Sequence, residues 1–222
     1  MSCKSIKHDF QLITACSHFC IPHGHASVAL NTVLSCCAKA VDFQAARNLL
    51  DRMKNADFLA PGTLQPILPD EISYSLLLSA CRDPAVARDI LKEIKLTRRH
   101  RVGVVQPSSI TYARAIAVCR KAEVPDVGSA QFFLEAARKD GVGATVFMYS
   151  AAIWTAERSG DCGAALQMLH EMKSVGVDAN IVCYNGVLST LARQGHISEA
   201  IEVYEEMKDN RCRPTATTFK VQ

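Results

Sequence analysis

Long apolar runs are missing from this sequence of 222 residues, since charged residues or His interrupt every stretch that approaches a membrane helix of about 18 residues. Aromatic residues are scarce at 6%, and the net charge is only +3. So weak a charge does not by itself indicate a nucleic-acid partner. The 49% hydrophobic and 21% charged content is ordinary for a folded chain. We therefore expect a folded protein without a membrane partner.

Catalytic and targeting motifs are also missing. Residues 141–143 (Gly-Val-Gly) do not form a phosphate-binding loop, and His170-Glu171 lacks the second His of a zinc protease helix. The N-terminus, with Lys4 and Lys7, has neither the apolar core of a signal peptide nor the Arg-rich pattern of a transit peptide. We expect no catalytic residue, no cofactor and no small-molecule substrate in this chain.

The ten cysteines lie within apolar, helix-like stretches of a long chain, which favours a reducing compartment over a disulfide scaffold. Cys37, Cys81 and Cys119 recur at one position of the repeat described next, as expected for a small buried apolar slot. A zinc site near the N-terminus is the alternative, but its spacing matches no zinc finger, and we predict no metal. Its candidate ligands are Cys3, His8, Cys16, His18, Cys20, His23 and His25.

The C-terminal third repeats itself at an offset of 35 residues. The same template extends upstream with insertions, and we predict a single helical-repeat domain over residues 1–222. The matching pairs are Tyr149 and Tyr184, Arg158 and Arg193, Gly160 and Gly195, Ala165 and Ala200, and Met172 and Met207. The predicted repeats are 27–70, 71–108, 109–145, 146–180 and 181–215, with a partial repeat at 1–26 and the start of a truncated one at 216–222.

Each repeat has the pattern of two helices joined by a short turn. In the last repeat, residues 181–193 and 198–210 are predicted helices, and Val203 and Met207 lie on an apolar stripe. Glu202, Glu205, Glu206 and Asp209 are expected to face solvent. Because one hairpin cannot bury its apolar faces alone, neighbouring hairpins must stack. The predicted fold class is all-α, a right-handed α-solenoid whose first helices line the concave side.

Two insertions are predicted to be surface loops. Residues 55–69 contain three prolines and a glycine, which do not continue a helix. Residues 96–107 carry Arg98, Arg99, His100 and Arg101. This basic cluster is either a phosphate contact or, as we prefer, a solvated group near a helix C-terminus, where cations are favourable.

The repeat period, Tyr184-Asn185, Gly195, residues 206–208 (Glu-Met-Lys) and Pro214 together resemble the pentatricopeptide-repeat family. The resemblance is weaker upstream, where Leu30 replaces the aromatic residue and Val41 the turn glycine. Members of this family bind single-stranded RNA at about one base per repeat. The resemblance implies the same function here, together with a mitochondrial or chloroplast location.

In the family, the residue after the Tyr and the last residue of the repeat read one base. Asn31 with Asp70 resembles a uracil-preferring pair, Ser150 with Asn180 an adenine-preferring pair, and Asn185 with Thr215 a weaker pyrimidine reader. Ser75 with Ser108 and Ala113 with Thr145 are ambiguous. The closing residues Asp70, Ser108, Thr145, Asn180 and Thr215 are also helix N-cap types, so capping alone is the alternative.

The family also implies an apolar residue near the start of each first helix that packs against the bases. Buried core residues are the alternative interpretation of these positions. The residues are Val28, Ile72, Ile110, Phe147 and Val182.

Basic residues recur near the end of the first helices. They predict a track for the phosphodiester backbone. The alternative is that they only complement the negative end of the helix dipole. The residues are Lys39, Lys121, Arg158 and Arg193, with Arg82 one residue out of step.

Two functions are consistent with these features of the sequence. The first is sequence-selective binding of single-stranded RNA, in organellar RNA processing, stability, editing or translation. The second is a protein-interaction scaffold that uses the same concave surface. A basic and open surface would favour RNA, whereas an apolar or acidic one would favour a peptide. Because the last repeat, at residues 216–222, is truncated, a catalytic domain beyond Gln222 is left open.

Overall fold

The computed structural model describes residues 26–59, 66–97, 106–215 and Thr218. The candidate zinc ligands at residues 3–25, the basic cluster at residues 98–101 and most of the segment 216–222 lie outside this part of the chain. The described residues form ten α-helices and no strand, with one isolated bridge between Leu59 and Pro66. The prediction of an all-α helical-repeat fold is confirmed.

The chain divides into two compact units. The first unit contains α1 (Ala26–Ala40), α2 (Phe43–Lys54), α3 (Glu71–Ala80) and residues 89–97 of α4 (Pro84–Thr97). The second unit contains residues 84–88 of α4, α5 (Ser109–Lys121), α6 (Val127–Lys139), α7 (Val146–Ser159), α8 (Cys162–Ser174), α9 (Ile181–Gln194) and α10 (Ile197–Asp209). We call α1, α3, α5, α7 and α9 the first helices and the others the second helices.

Among the residues that the structure describes, none of the helices has both the length and the apolarity that crossing a bilayer requires.

Side-chain caps fix where most of the helices begin. Asp161 precedes α8 and accepts a hydrogen bond from the backbone N–H of Ala164 at 2.9 Å, as its N-cap position predicts. Thr145 and Asn180 cap α7 and α9 in the same way. The caps satisfy amide groups that have no partner inside the helix. The first helices α3, α5, α7 and α9 thus each start at a capped residue.

The turn between the two helices of a hairpin requires a left-handed backbone. Gly160 and Gly195 have φ angles of 76° and 75° there, which cost glycine little. Val41 occupies the same turn between α1 and α2 with φ of 56°. A β-branched residue in this region is strained, so the replacement of the turn glycine noted in the sequence has a structural cost.

The core of the second unit lies between its first and second helices. Tyr112, Phe133, Tyr149 and Tyr184 are fully buried there, and so are the residues of an apolar stripe on α8. The predicted small slot is also confirmed, because the cysteines at this position are at most 2% exposed. The stripe residues are Ala165, Leu169 and Met172, and the slot cysteines are Cys37, Cys81 and Cys119.

A clasp of three side chains links consecutive hairpins of the second unit. The hydroxyl of Tyr184 donates to Glu206 at 2.7 Å, and Lys173 of the preceding hairpin pairs with the same carboxylate at 2.5 Å. Burial would raise the pKa of Glu206, but the hydrogen bonds from Lys173 and Tyr184 lower it overall. Glu206 therefore does not face solvent as predicted, because the neighbouring hairpin supplies its cation.

The same clasp occurs a second time in the second unit and once in the first unit. In the second unit, Tyr149 donates to Glu171, which pairs with Arg138 of the preceding hairpin. In the first unit, Tyr74 donates to Glu93 at 3.3 Å, and Glu93 pairs with Arg47 and Lys54 of α2. Burial raises the pKa of Tyr149 and Tyr184. These tyrosines thus stay neutral donors over the physiological range.

Candidate nucleic-acid interface

The first helices carry exposed apolar side chains close to their N-terminal ends. Phe147 on α7 is 73% exposed, Ile110 on α5 is 59% exposed, and Val182 on α9 is partly exposed. In the first unit, Val28 and Ile72 are 55% and 58% exposed. Val28, Ile72, Ile110 and Phe147 are therefore not core residues, and the alternative interpretation of buried packing residues is wrong for these four. Apolar side chains that recur near the start of the first helices and remain exposed to solvent are available to a ligand.

The first proposed reading pair is joined by direct hydrogen bonds in the first unit. The side-chain amide of Asn31 on α1 donates to both carboxylate oxygens of Asp70 at 3.2 Å. The Ser73 hydroxyl donates to the side-chain oxygen Oδ1 of Asn31 at 2.7 Å. Asp70 also caps α3 by accepting from the backbone N–H of Ser73. Capping and the Asn31 contact therefore coexist in one carboxylate.

A related contact occurs at the last proposed pair, in the second unit. Thr218 donates to the side-chain oxygen of Asn185 at 2.8 Å, and its hydroxyl accepts from the backbone N–H of Thr215 at 3.0 Å. Thr218 follows Thr215 by three residues, as Ser73 follows Asp70. The structure thus brings Asn185 and Thr215 to one hydroxyl rather than into a direct contact.

The remaining reading candidates make local contacts. Ser150 on α7 donates to the carbonyl of Phe147 at 3.1 Å, and Asn180 accepts from the backbone N–H groups of Val182 and Cys183 at 3.1 Å. Ser75 on α3 is 5% exposed and donates to the carbonyl of its own helix at residue 72. Ser108 and Thr145 cap α5 and α7, and Ala113 lies on α5, partly exposed.

The predicted basic residues are exposed and lie at the C-terminal ends of first helices. Arg158 on α7 donates to the carbonyl of Arg120 on α5, and Arg193 on α9 donates to the carbonyl of Glu157 on α7. Each arginine thus contacts a carbonyl near the C-terminal end of the preceding first helix, where cations are favourable. A guanidinium has five N–H donors, so this contact leaves donors for a second acceptor. Lys39, Lys121 and Arg82 are also exposed.

Charge is divided between the two sets of helices in the second unit. Its first helices α5, α7 and α9 contain five basic residues and one acidic residue, Glu157. Its second helices α6, α8 and α10 contain four basic and seven acidic residues. A chain of weak total charge therefore presents a basic set of first helices. The basic residues are Arg114, Arg120, Lys121, Arg158 and Arg193.

Two residues on this surface were not identified from the sequence. Trp154 on α7 is 37% exposed, and the guanidinium of Arg120 lies over its ring, 5.1 Å from the centroid. The spacing of Trp154, seven residues after Phe147, places both on one helix face, which is a signal that the sequence contains. The Arg120 contact joins two helices and has no such signal.

Within the described ranges, no group of three or more His, Cys, Asp or Glu residues is arranged to hold a metal ion.

Family models match three parts of the chain. A PPR repeat family model matches residues 179–221, a pentatricopeptide repeat domain model matches residues 133–192, and a PPR repeat model matches residues 28–58. Together these matches cover more than half of the chain. No curated protein matches the sequence.

Solved structures with the same fold include RNA complexes. The pentatricopeptide repeat protein PPR10 in complex with an 18-nt psaJ RNA element is 24% identical, with a TM-score of 0.62 over 87% of this chain. The match covers 26% of that protein, so this chain spans about a quarter of its length. PPR10 from maize gives a TM-score of 0.66 at 22% identity, over 97% of this chain and 29% of that one. The PPR domain of Arabidopsis thaliana protein-only RNase P 1, in complex with tRNA, is 17% identical, with a TM-score of 0.61 over 87% of this chain and 94% of that domain.

Proposed function

This chain belongs to the pentatricopeptide repeat family, and from that premise we propose that it binds single-stranded RNA along the solvent-exposed faces of its first helices. The proposed mode is about one base per repeat, with apolar side chains against the base faces, polar side chains at the base edges and basic side chains at the phosphates. In cells, this binding would serve RNA processing, stability, editing or translation in a mitochondrion or chloroplast.

The division of charge in the second unit is the observation that carries the proposal. Phosphate groups contribute most of the affinity of a nucleic acid for a protein, through Lys and Arg. The first helices of this unit offer five such residues against one carboxylate, whereas the second helices are net acidic. This basic set favours RNA over an apolar or basic peptide partner.

The exposed apolar residues supply the second part of the proposed site. Burying Ile110 and Phe147 against base faces would remove from water the apolar area that they expose in the free protein. In the same way, Asn31 and Asp70 lie together at the start of two neighbouring first helices. The Asn31 amide is bonded to Asp70 and Ser73, but the Asp70 carboxylate, which only accepts, has lone pairs left for the edge of a base. The resemblance to PPR proteins in RNA complexes is in line with this arrangement.

Replacing an exposed apolar residue of a first helix tests the proposal. We expect Ile110→Ser to weaken binding of a single-stranded RNA by about 1 to 2 kcal/mol, because it removes apolar area that a base would cover. Ile201→Ser is the matched control, because Ile201 is 54% exposed on the second helix α10. Fluorescence anisotropy of a labelled RNA selected from a random pool gives the affinity at one fixed salt concentration, with circular dichroism as the check of folding.

Three results would contradict the proposal. The wild-type chain would bind no RNA at low salt, or double-stranded RNA would bind as tightly as single-stranded RNA, or Ile110→Ser and Ile201→Ser would have equal effects. Capture of a defined peptide by the first helices, with no RNA binding, would instead establish the protein-interaction function.

A further inference from the structure

Trp154 lies on the solvent-exposed face of α7, between the proposed base-reading residue Ser150 and the proposed phosphate contact Arg158. Phe147, Ser150, Trp154 and Arg158 are spaced at i, i+3, i+7 and i+11, which places all four within about one third of the helix circumference. At a rise of 1.5 Å per residue, Trp154 is about 6 Å along the helix axis from both Ser150 and Arg158. The indole thus occupies the middle of the surface on which we place the RNA.

Two neighbouring helices hold the indole. The guanidinium of Arg120 on α5 lies over the ring at 5.1 Å from its centroid. On the other side, α9 comes so close that a Cβ atom on Gly186 would be 2.9 Å from Cγ2 of Ile153 and 3.3 Å from Cδ1 of Trp154. Only glycine allows this approach without movement. The indole therefore lies close to both neighbouring helices.

The ring remains accessible although it is held. Trp154 is 37% exposed, and the residues at the equivalent place on α5 and α9 are the short Ala117 and Ser189. Neither of these side chains is long enough to cover an indole. Trp154 is also the single tryptophan of the sequence, so this aromatic surface belongs to one repeat.

We infer that Trp154, with Arg120 over its ring, is a stacking platform for one nucleobase of the bound RNA. An aromatic ring beside cationic side chains is the arrangement by which proteins hold single strands without reading sequence. Arg120 lies over the ring, and Arg158 follows Trp154 by one turn of α7, so positive charge lies beside the platform. The inference rests on the proposed RNA binding and adds a contact that the reading pairs do not supply.

The tryptophan itself reports the contact. On titration with single-stranded RNA, we expect quenching of Trp154 fluorescence that saturates together with binding, as measured by anisotropy of the labelled RNA. A series of RNAs with one abasic ribose moved along the strand separates base from backbone. Quenching should disappear at one abasic position and persist at the others.

Two substitutions and a matched control complete the experiment. Trp154→Ala should weaken binding about 5- to 150-fold, the range typical of one stacked base, whereas Trp154→Phe should retain most of the affinity. Phe132→Ala is the control, because Phe132 on the second helix α6 is also exposed, at 48%, and also lies near an arginine, Arg88 at 5.7 Å. It should bind RNA as the wild type does.

The outcomes separate the two proposals. One outcome is that RNA binds without quenching the tryptophan fluorescence and with the same affinity for the wild type, Trp154→Ala and Trp154→Phe. In that case the stacking platform is wrong and the RNA-binding proposal stands. If the wild-type chain binds no RNA, both are wrong. Should Trp154→Ala fail to fold, the wild-type quenching, the abasic series and Trp154→Phe still decide.

Discussion

Single residues decide how well the common hairpin pattern is realised in each repeat. Gly160 and Gly195 occupy a left-handed turn without strain, whereas Val41 occupies the same turn with φ of 56°. The left-handed conformation costs a residue with a Cβ atom about 1 to 2 kcal/mol. The first hairpin therefore carries a local defect that the last two lack.

We expect Val41→Gly to raise the free energy of unfolding by about 1 kcal/mol. The relief of strain exceeds the extra freedom that glycine gives the unfolded chain, which is about 0.4 to 1 kcal/mol. Urea unfolding followed by circular dichroism measures the change.

Gly195→Ala provides the reciprocal control for this prediction. No atom lies within 4 Å of a Cβ placed at Gly195, so the substitution tests the backbone alone. It should destabilise by about 1 kcal/mol. A Val41→Gly chain no more stable than the wild type would show that the turn is not strained.

The sequence predicts local features of this fold better than it predicts contacts between helices. The apolar stripe at Val203 and Met207 of α10 follows from spacing inside one segment, and its burial is confirmed. The bonds from Asn31 to Asp70 and from Arg158 to the carbonyl of Arg120 span 39 and 38 residues. Such contacts depend on how one helix packs against the next, which periodicity does not contain.

At the scale of helices, the clasps connect each hairpin to its neighbour through charge. Lys173 belongs to one hairpin, and both Tyr184 and Glu206 belong to the next. Partly buried ion pairs of this kind are costly to break when one partner is removed. The packing of apolar stripes is thus supplemented by a polar contact that depends on pH.

The clasp predicts a loss of stability in acid. The folded-state pKa of Glu206 lies below its ordinary value of 4.5, so the carboxylate contributes stability above about pH 4.5 that is lost as the pH falls through the lowered pKa. We expect Glu206→Gln to be less stable than the wild type at pH 7, with the difference shrinking below pH 4. Urea unfolding across this range measures it.

Glu205→Gln is the matched control for this acid effect, since Glu205 is exposed on the same helix. Its difference from the wild type should be small and nearly constant with pH. A Glu206→Gln difference that is equally constant from pH 7 to pH 3 would show that the carboxylate is not held in the clasp.

At the scale of the whole molecule, the proposed phosphate contacts set how strongly salt weakens RNA binding. Lys39, Lys121, Arg158 and Arg193 represent four contacts, and each contributes a slope of about −0.7 for a single strand. The logarithm of the binding constant should therefore fall with the logarithm of salt concentration with a slope of about −3.

We expect Arg158→Ala and Arg193→Ala each to reduce the size of this slope by roughly 0.7, with weaker binding to every RNA sequence. Lys139→Ala is the control, because Lys139 is exposed on the second helix α6 and pairs with Glu135. Binding measured from about 50 to 300 mM salt gives the slopes. A slope unchanged by both arginine substitutions would leave these residues a purely structural role at helix ends.

The proposed double role of the closing residues, as helix caps and base readers, limits how such a chain can change its target. Asp70 starts α3 and bonds to Asn31, while Asn180, Ser108 and Thr145 each start a first helix. A replacement at these positions must still cap a helix, which leaves few side chains other than Asn, Asp, Ser and Thr. These four are also short hydrogen-bonding groups suited to a base edge. Exchanging one of these four residues for another at a closing position should therefore cost little folding stability. A larger or apolar residue would instead weaken the start of the helix that carries the next proposed contact.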